Sequence, residues 1–268
     1  MIVEDGVSKR LNPFHKVSNY FIESLSGLGI IFIFFGLWEV GSYFVGDFIL
    51  PSPVVVLKRV FALLFEPQSE ISITLYRAIF TILFAFVVGT FCGILAGSFK
   101  TLARILKPLM EIFLGTPPIV WIVLALFWFG IGDVSVIFSA IITIFPLSFA
   151  NAMVSVLTLD KRLDEVCIVY SLNLFKRLKY YYLPHILPIL LASLSVVSAT
   201  GIKTMIMSEL LGAVSGVGAK IADARSYLDT TEVLAYVVIM VGIILLFDFL
   251  VIKPVRLVFL PWIKEDMK

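Results

Sequence analysis

Six long apolar segments dominate this chain, near residues 22–45, 71–98, 105–129, 134–157, 186–211 and 233–260. Each is long enough to cross roughly 30 Å of hydrocarbon as an α-helix. In hydrocarbon a backbone amide has no water to bond, so such segments fold as helices that satisfy their own hydrogen bonds. Composition agrees: of 268 residues, 60% are hydrophobic and 15% charged, and mean hydropathy is +1.05. No water-soluble domain needs so much apolar surface, and the length leaves no room for a separate soluble catalytic domain. The expected fold class is an all-α membrane protein with six transmembrane helices. The expected organisation is a tail over 1–20, a membrane domain over 21–262 and a second tail over 263–268. The first segment is too long for a signal-peptide core and no small-x-small site follows it, so it is expected to be retained. Cys92 lies in an apolar segment and Cys167 in a polar loop, which implies no disulfide framework.

The net charge of +2 gives no reason to expect a nucleic-acid partner. The placement of the charges is more informative. Lys9, Arg10 and Lys16 precede the first segment. Lys100, Arg104 and Lys107 lie between the second and third. Lys161, Arg162, Lys176, Arg177 and Lys179 lie between the fourth and fifth, and Lys253, Arg256, Lys264 and Lys268 lie at the carboxyl end. Lys58, Arg59, Lys220 and Arg225 fall on the other side. Basic residues concentrate on the cytoplasmic face, so both termini and the long loop are expected there.

Two local patterns modify the plain helices. Thr116-Pro117-Pro118 interrupts the third segment, where proline removes amide donors, and a kink or unwound turn shielded by protein is expected. Gly89, Gly93 and Gly97 form a smooth stripe on the second segment. Such a stripe serves tight packing within the chain or, alternatively, a surface that slides during a transport cycle.

The loop over about 158–184 is polar and basic in a chain otherwise made of membrane segments, which suits docking of a partner. Leu163, Val166, Cys167 and Tyr170 fall on one face of a short helix. Asp160 or Asp164 suits its start. Ser171 to Asn173 suit its end, asparagine tolerating the left-handed conformation used there. Pro184 fits the first turn of the next helix. On spacing alone, a short amphipathic helix resting on lipid explains the same pattern.

Glu165, Val166 and Cys167, then Ser171, Tyr181 and Leu183-Pro184, resemble the coupling-helix motif of ABC importer permeases: Glu-Ala-Ala, three residues, Gly, nine residues, Ile, one residue, Leu-Pro. Ser171 stands at the glycine position, where a side chain makes a positive φ more costly. Leu50-Pro51-Ser52-Pro53, Thr116 to Trp121, Leu126 to Asp133, Ser208 to Ala213 and Asp223 to Leu228 resemble the nitrate/sulfonate/taurine branch, in order over about 30–260. The resemblance implies a type I importer (MetI-like) permease fold in a bacterial inner membrane. It implies coupling to two ATPase subunits through Leu163, Asp164, Glu165, Val166, Cys167, Tyr170, Ser171, Leu183 and Pro184. It further implies a second permease copy, as a homodimer or with a related chain, and an external solute-binding protein. The chain has no Gly-x-x-x-x-Gly-Lys-Ser/Thr sequence. No cofactor is expected on it directly. ATP and Mg belong to the partner ATPase, and the chain is not expected to be an enzyme.

Lys203 lies inside the fifth segment, where an ionisable group is a functional candidate by default. It would line the path of an anionic solute, or else snorkel or pair with a carboxylate. Glu209, Pro117, Pro118 and Trp121 complete the expected path, Glu209 with a structural or gating role near the outer end. Two other classes fit parts of the sequence. Gly130-Ile131-Gly132-Asp133 with Phe247-Asp248 resembles the aspartate pair of intramembrane aspartyl proteases, where two carboxylates share a proton. The motif order is reversed, the depths differ and the Pro-Ala-Leu element is missing. A secondary carrier would need coupling-ion sites and usually repeated halves, and neither is evident. The branch leaves the solute open among sulfonates, taurine, nitrate and vitamin precursors.

Overall fold

Prolines and close glycine contacts set where the helices start, bend and meet. The computed structural model describes residues 13–254, so the tail over 263–268, most of the tail over 1–20 and the end of the sixth expected span lie outside the described residues. The chain divides into two compact units, residues 1–59 and 60–268.

In the first unit, α1 runs over Pro13–Val45, and its stretch Gly29–Val45 is apolar. Trp38 Nε1 donates to the Pro51 carbonyl at 3.0 Å, and Ser42 Oγ donates to Asp47 at 3.2 Å. These bonds fold the Leu50-Pro51 turn back on α1. Pro53 then opens α2 (Pro53–Phe65), of which the part up to Arg59 belongs to this unit; at a first helical position its missing N–H costs nothing.

The second unit is built from α3 (Ile71–Ser98), α4 (Lys100–Gly115), α5 (Pro118–Phe129), α6 (Asp133–Leu157), α7 (Lys161–Val169), α8 (Leu174–Arg177), α9 (Leu183–Gly212), α10 (Val217–Ser226) and α11 (Thr230–Phe247). Among the described residues four helical stretches are long and apolar enough to cross a membrane. The bent pair α4 and α5 makes a fifth if counted as one span.

α3, α6 and α9 form the centre. The glycine stripe of α3 is seated on α6: a Cβ at Gly93 would lie 2.3 Å from the Phe149 carbonyl oxygen, and one at Gly89 2.8 Å from Ser148 Cβ. Only hydrogen at those positions lets the two backbones approach this closely. α6 and α9 are joined by hydroxyl contacts, Ser139 to Ser208 at 2.7 Å and Asn151 to Ser193 at 2.9 Å. α4 is amphipathic. Ala103 and Met110 are buried with Ala96, Phe149 and Met153, while Lys100, Arg104 and Lys107 face outward.

The third expected span is therefore not one kinked rod. α4 and α5 meet at 91°. Thr116 (φ −82°, ψ 124°) and Pro117 (φ −58°, ψ 139°) are both extended, because a residue before proline is driven out of the α region. Two extended residues in succession swing the chain sideways. Phe113 and Trp121 stack across the corner at 5.1 Å between ring centres. The expected protein cover over this turn is partial: Pro117 is exposed, and Thr116 and Pro118 are half-buried.

At the α10 end of the bundle, charges are buried together. Arg77 of α3 donates to Glu209 of α9 at 2.7 Å and to Asp133 of α6 at 2.5 Å. It also reaches the carbonyl and hydroxyl oxygens of Ser215, at 2.8 and 2.7 Å. Thr74 Oγ1 donates to Glu209 at 2.7 Å, and Gly218 N donates to the same carboxylate at 3.1 Å. Gly216 (φ 104°) passes so close that a Cβ there would lie 2.4 Å from Glu209 Oε1. Glu209 is fully enclosed, and the Arg77 side chain is 5% exposed. Removing one partner from a buried ion pair strands the other, at a cost of about 3–5 kcal/mol. Arg77→Met is therefore expected to lower stability by about that amount, seen as an earlier thermal unfolding transition in detergent. An unchanged transition would show that the pair holds nothing together.

Candidate functional site

The segment between α6 and α9 is held by caps and crosslinks. Asp160 caps α7, its carboxylate accepting from Arg162 N at 2.9 Å, as a side-chain oxygen does for the free amides of a first turn. At the other end, Leu172 N bonds the Cys167 carbonyl at 3.0 Å and Ser171 N bonds the Ile168 carbonyl at 2.9 Å. These two bonds are the Schellman closure, which requires a left-handed residue between them. Ser171 supplies it, with φ at 50°. Asn173 acts elsewhere, since its side chain accepts from Lys176 N at 2.9 Å and caps α8.

α7 is tied to the helix that follows it. Arg177 donates to Asp164 in a close ion pair. Tyr181 is buried, and its hydroxyl donates to the Asp160 carbonyl at 2.8 Å. Pro184 stands in the first turn of α9, but α8 and a π turn over Leu178–Tyr182 run directly into it. The continuous apolar helix thus spans Leu174–Gly212, beginning well before the expected start at 186. The wider π turn directly precedes the amide-less Pro184, so the rod continues where an α-helix would be expected to start anew.

The expected docking face is divided. Leu163, Val166 and Tyr170 are exposed, whereas Cys167 turns inward and is 7% exposed. Leu174 and Phe175 extend the exposed apolar surface. Glu165 is exposed and has no ion-pair or hydrogen-bond partner among the described residues.

The expected path residues separate into two places. Glu209 sits in the buried cluster with Arg77 and faces no open space. Lys203 is exposed on α9, on a face shared with Ala192, Val196 and Leu211, and has no carboxylate partner among the described residues. Pro117, Pro118 and Trp121 lie at the α4–α5 corner. Trp121 is half-buried, and its Nε1 is buried without a hydrogen-bond partner. α5 meets α9 where a Cβ at Gly212 would lie 2.4 Å from Leu126 Cδ2. The two helices run in the same direction, and Pro117 and Lys203 each stand nine residues before that contact. At 1.5 Å per residue the corner and the lysine lie at about the same depth.

Asp133 and Asp248 do not form a catalytic pair. Asp133 is bound to Arg77 beside the end of α9, where Gly132 N donates to the Gly212 carbonyl at 2.8 Å. Asp248 accepts from Ser195 Oγ at 2.8 Å. Ser195 and Gly212 are separated by roughly 25 Å of helix, too far for two carboxylates to share a proton. Sequence reasoning missed both partnerships. The signal for the first was present in Arg77, Asp133 and Glu209, three charges of both signs at one expected membrane edge.

Comparison with known proteins agrees with this architecture. The chain is 28% identical to the taurine transport system permease protein of Escherichia coli, over 98% of this chain and 97% of that one. It is 27% identical to the nitrate import permease protein of Synechococcus elongatus, over 72% and 73%. Its fold resembles a chain from a structure of inward-facing conformations of the MetNI methionine ABC transporter, with a TM-score of 0.52 at 20% identity, covering 69% of this chain and 96% of that one. These relatives are named as transport proteins, and the MetI-like fold is shared. Residues 85–253 match the model of the binding-protein-dependent transport system inner membrane component, and the chain belongs to that family of ABC transporter permeases.

Proposed function

We propose that this chain is the membrane-spanning subunit of an ATP-driven importer for a small solute that carries an anionic group, of the sulfonate, taurine or nitrate kind. An external binding protein delivers the solute, and a separate subunit hydrolyses ATP. The observation that carries this reading is α7. It is a short helix with an exposed apolar face and an exposed Glu165, crosslinked to the rod that continues into α9. A free-standing lipid-resting helix would not need the Asp164–Arg177 pair and the Tyr181–Asp160 bond. A lever does. The relatives named for taurine and nitrate support the solute class.

In this reading the α7 end faces the cytoplasm, with both termini, as the basic residues around it favour. Two copies assemble, each docked to one ATPase subunit. Closure of the ATPase pair moves α7, and the crosslinks pass the motion to α9. α9 carries Lys203 at the depth of the α4–α5 corner, where a cation would attract an anion in surroundings of low dielectric. Metal or nucleotide chemistry belongs to the partner.

Glu165→Lys is expected to cut ATP-driven uptake in proteoliposomes at least tenfold while the ATPase subunits still hydrolyse ATP. Wild-type uptake in that variant would sink the docking role. Lys203→Met is expected to reduce uptake of anionic solute several-fold with assembly intact, and normal transport kinetics would return Lys203 to a structural part. Ser171→Gly removes the cost of a side chain at positive φ, worth about 1 kcal/mol. Hydrogen exchange at Leu172 N should slow several-fold with uptake unchanged.

A further inference from the structure

Between α9 and the end of α11 lies a cavity of about 300 Å³. Ser195 and Ser198 from α9 and Asp248 form its polar wall, and Ile202, Ile244 and Phe247 contribute to its apolar wall. That volume is at the small end of ligand sites and fits one small group. The hydroxyl protons are already committed. Ser195 Oγ donates to Asp248 Oδ1 at 2.8 Å, and Ser198 Oγ donates to the Leu194 carbonyl at 2.7 Å. What the wall still offers is acceptors: the second carboxylate oxygen and the hydroxyl lone pairs. An anion would meet no free hydroxyl donor, whereas an ammonium group brings three donors and the matching charge.

Two further observations favour a ligand. Asp248 is half-buried in the last turn of the apolar span Thr230–Leu250, and a carboxylate within such a span is costly unless it faces protein, water or a bound group. It also opens a π turn over Asp248–Ile252, an insertion that recurs at functional positions within helices. Ala199 lines the same cavity, and Lys203 is one turn further along α9. Lys203 does not itself line the cavity; long side chains on a helix lean toward its N-terminus, so its stem lies on the side of the lining residue Ala199. We propose that Asp248 and Ser195 hold the protonated amine of a small zwitterionic solute whose anionic end is held by Lys203. This rests on the import function proposed above and narrows its solute class.

The test is equilibrium binding of 2-aminoethanesulfonate and ethanesulfonate to the detergent-solubilised permease–ATPase assembly, without the binding protein. The two probes differ only in the ammonium group. Wild type is expected to bind the aminated probe more tightly. Asp248→Asn should weaken that binding at least tenfold and leave ethanesulfonate within twofold. Ser195→Ala, a gentler change, should shift the same preference about threefold. No preference in wild type, or an equal loss for both probes in the variants, would overturn the subsite. ATP-driven uptake by the complete importer is measured in parallel. Its absence in wild type for any solute would overturn the import function and the subsite with it. Uptake without amine preference overturns the subsite alone.

Discussion

The ion pair between Arg77 and Glu209 fixes the α10 end of the second unit. Neither residue has water to fall back on, so each is stabilised only by the other and by further hydrogen bonds. Those bonds come from four directions: Thr74 on α3, Asp133 at the start of α6, Ser215 in the connecting turn and Gly218 in α10. The arrangement leaves no freedom in the connection after α9. Gly216 and Gly218 are close against Glu209, so the turn and α10 are drawn onto the helix ends. Three helices that elsewhere meet through apolar and hydroxyl contacts are here joined by charge.

This fixed end gives α9 its mechanical character. The rod over Leu174–Gly212 is anchored at one end in the buried cluster and tied at the other to α7. In the proposed function a force applied at α7 would reach α9 through Tyr181 and the Asp164–Arg177 pair. Between the ends, α9 packs on α6 through small and hydroxylated residues, Ser193, Gly201 and Ser208 among them. Contacts of that kind let backbones approach closely. A Cβ at Gly201 would lie 2.8 Å from Ile82, so α3 is packed against the same helix. Tilting of α9 is thus felt by α3 and α6 together.

The sequence showed α3 in full because an uninterrupted apolar run bounded by polar residues leaves one solution, and its expected limits of 71–98 coincide with the helix. It also showed that Thr116-Pro117-Pro118 would break the third segment. It did not show the angle, because two extended residues can point the chain anywhere until Phe113 and Trp121 stack. The start of the rod at Leu174 was hidden by Pro184, which reads locally as a first-turn residue; the π turn before it is a property of the backbone and leaves no pattern in composition. Ser171 is the opposite case. The resemblance put it at the motif's glycine position but left open whether Ser171 or Asn173 makes the turn; the two closing hydrogen bonds assign it to Ser171. The Arg77 cluster was visible in the sequence only as separate charges near one expected membrane edge; its members are up to about 140 positions apart, and the packing of α3, α6 and α9 brings them together.

Lys203 and Asp248 have no such enclosure among the described residues. Lys203 is exposed and Asp248 half-exposed on spans that otherwise present apolar side chains. A charge facing lipid tails is costly. Arg77 shows how the same fold treats a charge that it buries: it surrounds it. Leaving Lys203 and Asp248 open is physically reasonable only if the face between them meets water, a solute or another subunit. That face belongs to α9, the helix tied to α7. Lys203 lies on that rod and Asp248 is bonded to it through Ser195, so in the proposed function a movement of the rod would change the surroundings of both charges at once.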